Sequence, residues 1–335
     1  MTGRRATVAA IGPVVLLFAF LREPSLPLRP DAIGSTLLAL AWPFIVWGLR
    51  PTGVMARALE EDRARVGGTL VLGLCLIAAW APLLAPVSPA LQGDPVLDRY
   101  RPPGMEHWLG TDLLGRDMLS RVIHGARVSL SIAVGSVVLS VGLGTLVGAV
   151  AGWRGGRVDG VLMRATDLAL AFPRVFLILL LVAFTYPSPQ WIVVVLGLTG
   201  WMSVARLVRG ELRPRLQEGY VLAARSLGFG AWRIFFRHLL PAIAGPLIAF
   251  STLRVGNAIL AESFLSFLGL GVQDPWVSWG LLIRSGRDLL TGEWWLAFFP
   301  GLAIVLTVVG FNLLGDALRA ALDPRRHHDP VALED

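Results

Sequence analysis

Four side chains in one short stretch carry the groups of metal or hydrolytic chemistry. His107, Asp112, Asp117 and His124 lie within 18 residues, in HWLGTDLLGRDMLSRVIH. Carboxylates flanked by imidazoles are the raw material of a zinc site or an acid–base pair. The spacing argues otherwise, because no His-x-x-x-His or Glu-x-x-His pair is present to fix ligand geometry. The stretch reads better as a turn motif. Gly110 and Gly115 permit tight bends, Thr111, Asp112 and Asp117 are helix-capping types, and Arg116 lies among them. A structural or partner-contact role is expected, with no metal. No G-x-S-x-G and no G-x-x-x-x-G-K-[ST] occurs, so the chain is not expected to hydrolyse ATP or to bind a cofactor.

A second stretch mixes types that neither lipid nor water accepts. In ARSLGFGAWRIFFRHLLP, Ala224 to Pro241, four basic-type side chains (Arg225, Arg233, Arg237 and His238) interleave with Trp232, Phe235, Phe236 and Leu239. Just before it, Tyr220, Ala223, Ala224 and Leu227 fall at helical spacing on one face. Gly228 and Gly230 then allow a sharp turn. A second short helix is expected before Pro241, which suits the first turn of the helix that follows. Two readings stand open. The pair could lie on lipid headgroups, aromatics in lipid and arginines on phosphate. Alternatively it is a knob for a groove on a partner, which the small residues Ala223, Ala224 and Gly228 favour by letting another surface approach the backbone.

The elements that position these stretches are apolar. Hydrophobic residues make up 55% of the 335-residue chain and charged ones only 16%, where soluble proteins have roughly 25%. The expected fold is therefore an all-α polytopic membrane protein, with spans near 7–21, 33–49, 68–86, 128–151, 160–185, 190–207, 242–262 and 294–316. The first is short enough for a signal peptide, but FLREPS follows it instead of a small-residue cleavage site, so it reads as an uncleaved helix. All 30 basic residues are arginine and the net charge is +7. They concentrate before the first span, between spans two and three, after span six and in the tail. With simple alternation this places both termini and the 208–241 loop in the cytoplasm. That asymmetry accounts for the basic balance without a nucleic-acid partner. The single cysteine, Cys75, excludes an intrachain disulfide.

Charge within a span usually faces a cavity or a partner. Asp167 has Arg164 one turn before it, and an i,i+3 pair is expected. Pro173 is expected to kink the same span. Arg254 lies near the middle of span seven with Asn257 at i+3, and Glu262 closes that span near its outer end. These three are candidate pathway residues. A buried ion pair, with Asp167 or with a partner subunit, is the other account of Arg254. Asn312 and Asp316 are expected to cap or pair at the inner end of span eight.

The Ala224–Pro241 stretch resembles the EAA loop of ABC importer permeases, E-A-A, three residues, G, nine residues, I-x-L-P. Ala223, Ala224, Gly228, Leu240 and Pro241 match; Leu222 stands at the glutamate position and His238 at the isoleucine. The form YVLAARSLG…RHLLP is similar to the dipeptide/oligopeptide/nickel branch. Three further segments resemble it in order: His107–Leu130, Ser263–Gly280 and Trp294–Arg325. The resemblance covers about residues 67–325 and implies a type I ABC importer transmembrane domain. It divides the chain into two extra spans with a basic linker (1–66), a six-span core (67–325) and a tail (326–335). Within the core lie an external loop 87–127, a coupling loop 208–241 and an external loop 263–293. It implies a homologous permease partner, two cytoplasmic ATPases that use the ATP, an external solute-binding protein, and surrounding lipid. It makes Tyr220, Ala223, Ala224, Arg225, Gly228 and Pro241 the ATPase-coupling set. Peptides are the expected cargo; nickel, haem or another small solute remain within the branch. An ion-coupled transporter would show matching halves, and a membrane enzyme would need a convergent catalytic set. The sequence shows neither.

Overall fold

The computed structural model describes residues 62–322 except 95, 288, 290 and 291. The spans expected at 7–21 and 33–49 and the tail 326–335 lie outside the described residues. Among the described residues every element is helical, apart from one isolated bridge between Thr111 and Asp117. In chain order the helices are α1 (Asp62–Ala79), α2 (Ala81–Leu84), α3 (Met118–Arg154), α4 (Gly156–Ala171), α5 (Arg174–Ala183), α6 (Pro189–Leu198), α7 (Trp201–Arg215), α8 (Gly219–Ser226), α9 (Ala231–Phe267), α10 (Trp279–Gly286) and α11 (Trp295–Ala321). Three of them, α3, α9 and α11, are long and apolar enough to cross a bilayer. Two bent pairs, α4–α5 and α6–α7, pass the same test together.

Helix α3 is the axis of the bundle. Its 37 residues rise about 55 Å at 1.5 Å each, well beyond a ~30 Å hydrocarbon core. The segment expected to remain a loop to residue 127 is therefore helical from Met118. Asp117 caps that start by accepting from the Ser120 backbone N–H at 2.8 Å. Along α3, Gly144, Gly148 and Gly152 recur every four residues and face α7. A methyl at Gly148 would sit 2.5 Å from the Ala205 carbonyl, and one at Gly144 2.6 Å from that of Trp201. Such small-residue stripes let backbones meet where lipid supplies no hydrophobic drive. Gly67 does the same for α1 against Leu314 and Gly310 of α11.

The span expected at 160–185 is broken at Phe172–Pro173, where α4 and α5 meet at 85°. Pro173 causes this, since it removes an amide donor and pushes Phe172 into extended backbone. Helices α6 and α7 meet at 43° across Thr199 and Gly200. The short helix expected before Pro241 is a single α-helical turn, Ala231–Ile234. It continues into α9 through a π-helical turn at Phe235–Leu239, closed by Leu240 N–H to the Phe235 carbonyl. A wider turn accommodates a proline that cannot donate the regular bond.

The side chains sort into three apolar clusters. One joins α1, α3, α9, α10 and α11, centred on Trp279, Leu130 and Ile259. Another joins α3, α5 and α6. The third holds α7, α8 and α9 together. Large apolar residues on α4 and α5 stay uncovered, among them Leu168 (75% exposed) and Phe176 (62%). A surface this apolar belongs against lipid or another subunit.

Candidate functional site

Three places hold the residues singled out from the sequence. The first is the elbow between α7 and α9. Helix α8 is anchored by Val221 and Ala224, which are buried among Val204, Val208 and Leu212 of α7 and Ile234, Leu239 and Ile243 of α9. Ala224 therefore packs inward and cannot present itself to a partner, which corrects its place in the coupling set. Helical spacing alone could not distinguish it from Ala223, which is exposed together with Tyr220, Arg225 and Gly228. Gly228 has φ +78°. Phe229 N–H bonds the Ala224 carbonyl and Gly228 N–H that of Arg225, the paired bonds of a left-handed helix stop. Arg225 stacks over Trp153 at the end of α3, 4.9 Å from the ring centroid. Tyr220 meets the His238 ring at 6.2 Å. Partial covering of the otherwise exposed Tyr220 ring, followed by the Glu218 charge, raises its phenol above its ordinary pKa. Pro241 is exposed in the first turn of the α-helical stretch from Leu240, on α9 instead of α8.

The second place is the collar built from the 87–117 segment. Here Asp112 and Asp117 are fully engaged in structure. Asp112 accepts from the Leu114 and Arg116 amides and pairs with buried Arg121 at 2.7 Å. Asp117 bonds the Ser120 hydroxyl and His107 Nδ1. His124 turns away to the Ser120 carbonyl. Among the described residues no three acidic, histidine or cysteine side chains converge on a metal position. Thr111, expected as a cap, instead clamps the loop. Its hydroxyl donates to the Asp98 carbonyl and accepts from Arg101 N–H, while its carbonyl accepts from Trp295. Gly110 (φ +78°) lies against that Trp295 ring, and Gly115 (φ +67°) against Asp98. The Leu97 and Val96 amides hold the Asp94 carboxyl below its usual pKa. Arg116 reaches Asp274 of the second outer segment at 3.5 Å, above a cleft of about 350 Å³.

The third place is the interior of the bundle. Glu262, expected near a pathway, has no exposed surface. Its carboxyl accepts from Ser129, Ser263 and Ser266, and Ser278 bonds Ser266 beside it. It fastens α9 to α3 and to the outer segment, so it is not a pathway residue. Asn257 is exposed. Arg254 is half-buried, donates to the Ser203 hydroxyl and stacks on Phe250. Asp167 pairs with neither Arg254 nor Arg164. It takes Arg206 of α7 at 2.5 Å, because the α4 face that carries it packs along α7. Further along the same face Asp159 binds Arg209 and Arg213. Asn312 lies beside Gly256 of α9.

Sequence reasoning missed this α4–α7 ladder and also Arg174, whose Nε is buried without a hydrogen-bond partner. A signal for Arg174 existed: it is a charge inside the 160–185 apolar run, directly after Pro173.

Comparison with known proteins bears on all three places. Residues 144–328 match the family described as the binding-protein-dependent transport system inner membrane component. The dipeptide transport system permease protein of Bacillus subtilis is 40% identical over 271 residues, covering 80% of this chain and 84% of the relative. The oligopeptide transport system permease protein of the same organism is 38% identical, over 81% and 88%. The glutathione transport system permease protein of Pectobacterium atrosepticum is 40% identical, over 80% and 89%. The chain belongs to the family of binding-protein-dependent transport system inner membrane components, as an α-helical permease subunit of the type I ABC importer class.

Proposed function

We propose that this permease imports peptides, paired with a second, homologous permease chain, driven by two ATPase subunits and supplied by an external solute-binding protein. The relatives it resembles are permeases for dipeptides, oligopeptides and glutathione. The observation that carries the mechanism is the α8 elbow, a short helix exposed on one face and packed on the other against two long helices. Tyr220, Ala223, Arg225 and Gly228 form the contact with an ATPase. Val221 and Ala224 pass its movement to α7 and α9, and Arg225 on Trp153 passes it to α3. Closure of the ATPases on ATP then rocks the long helices between outward-open and inward-open arrangements. The elbow and both termini are cytoplasmic, as the arginine asymmetry supports, and the collar with Gly110–Asp117 faces the binding protein.

The test is uptake of a labelled tripeptide into proteoliposomes holding the whole complex. Uptake is expected to require ATP inside and binding protein outside. Uptake without ATP that follows an imposed proton or sodium gradient would contradict the reading.

A further inference from the structure

Among the described residues two half-buried arginines, Arg174 and Arg254, have no acidic partner, and each reaches a place where a helix is broken. The ladder sets the geometry. Asp167 with Arg206, and Asp159 with Arg209 and Arg213, run α4 antiparallel to α7. Continuing that register brings the Phe172–Pro173 break opposite the Thr199–Gly200 break. Arg174 opens α5 at the first break, where no side chain caps the helix. Helix α7 opens at the second, also without a side-chain cap. Both starts offer backbone N–H groups, beside the carbonyl ends of α4 and α6. Broken helices at membrane depth are tolerated where they line a wet cavity.

Arg254 reaches this place from α9. Its guanidinium donates to Ser203 in the first turn of α7 and lies 5.6 Å from the Phe250 centroid. Gly200 makes the room, since a methyl there would be 2.8 Å from Arg254 Nη2. The Arg174 Nε–H is buried with no acceptor. Among the described residues the carboxylates of α4, α7 and α9 are engaged elsewhere: Asp159 and Asp167 in the ladder, Glu211 with Arg215, and Glu262 by serines. Two half-buried guanidinium groups with no carboxylate engaged beside them favour an anion with two acceptor oxygens.

We propose that Arg174 and Arg254, with Ser203 and Gly200 shaping the seat, form a transient binding site for the terminal carboxylate of the solute as it crosses the membrane. This rests on the peptide reading above and deepens it. The seat selects solutes bearing a carboxylate and disfavours free metal cations. A carboxylate contributed by the partner permease is the competing source of the same chemistry.

The experiment measures uptake by the whole complex in proteoliposomes for two forms of one tripeptide, with a free carboxylate and with a C-terminal amide. Wild type is compared with Arg174→Gln, Arg254→Gln and Arg254→Lys. The same binding protein serves every arm, so its own preference cancels in the variant-to-wild-type ratio. The ratio should fall about tenfold or more for the free acid in either glutamine variant and less than about twofold for the amide, with Arg254→Lys between. Tenfold corresponds to about 1.4 kcal/mol of lost interaction. Equal losses for both peptides, or no loss for either, would overturn the seat. So would failure of a glutamine variant to assemble with the partner permease, which would assign the charge to a carboxylate across the interface. If wild type carries neither peptide, the peptide reading itself falls, a result distinct from the others.

Discussion

At the scale of single residues, the stability of the collar rests on two aspartates whose roles differ. Asp112 pairs with Arg121 inside the protein. Removing one partner strands the other charge, which costs about 3–5 kcal/mol. Asp112→Ala is expected to lower the melting temperature of the purified complex strongly. Asp117→Ala removes a helix cap and should cost about 1 kcal/mol or somewhat more. Thermal unfolding in detergent checks the order, and an Asp117 variant as damaged as the Asp112 variant would contradict it. Gly228 belongs to this scale too. At φ +78° it holds a conformation that asparagine tolerates and most side chains do not. Gly228→Asn should keep transport, whereas Gly228→Trp, which keeps the chain in the membrane, should abolish it. Undiminished uptake in the tryptophan variant would remove the elbow from the coupling path. The glycine's need for a turn was legible in the sequence. The inward direction of Ala224 was not, because it depends on how α7 and α9 converge around α8.

Among elements, the closest approach is between α3 and α7. Gly148→Val would drive a side chain into the Ala205 carbonyl and Val208, so the chain should fail to accumulate in membranes. Gly142→Ala on the same helix meets nothing within 4 Å and should accumulate normally. Quantifying both in isolated membranes tests the packing, and equal levels would refute it. The ladder is the other bond between elements. Arg164–Asp167 was the pair the sequence offered, since i,i+3 spacing on one helix is visible in one dimension. Arg206–Asp167 and Arg209–Asp159 join residues 39 and 50 apart, and only the antiparallel fold of α4 on α7 makes them neighbours. The long spans themselves were legible, because apolar runs of bilayer length leave few alternatives. Their breaks were legible only in part. Pro173 announced one, while Thr199–Gly200 carries no proline, and Pro241 sits, as expected, in the first turn of the α-helical stretch Leu240–Phe267, directly after a π turn.

For the whole molecule, the arginine asymmetry makes a directional claim. In a Cys75→Ala background, a membrane-impermeant thiol reagent should label a cysteine placed within residues 90–105 from outside. It should not label one within 215–237. The opposite pattern would invert the topology and with it the placement of ATPases and binding protein. The uncovered apolar face of α4 and α5 fits a chain that is one half of a larger pathway. The central claim is that α8 docks on an ATPase instead of lying on lipid headgroups, and cross-linking tests it most directly. A photoreactive residue is placed at Ala223, which is exposed, or at Val221, which is buried, and the complex is irradiated in native membranes. The account predicts an adduct with an ATPase subunit from position 223 and none from 221. Adducts from position 223 with lipid alone would contradict it.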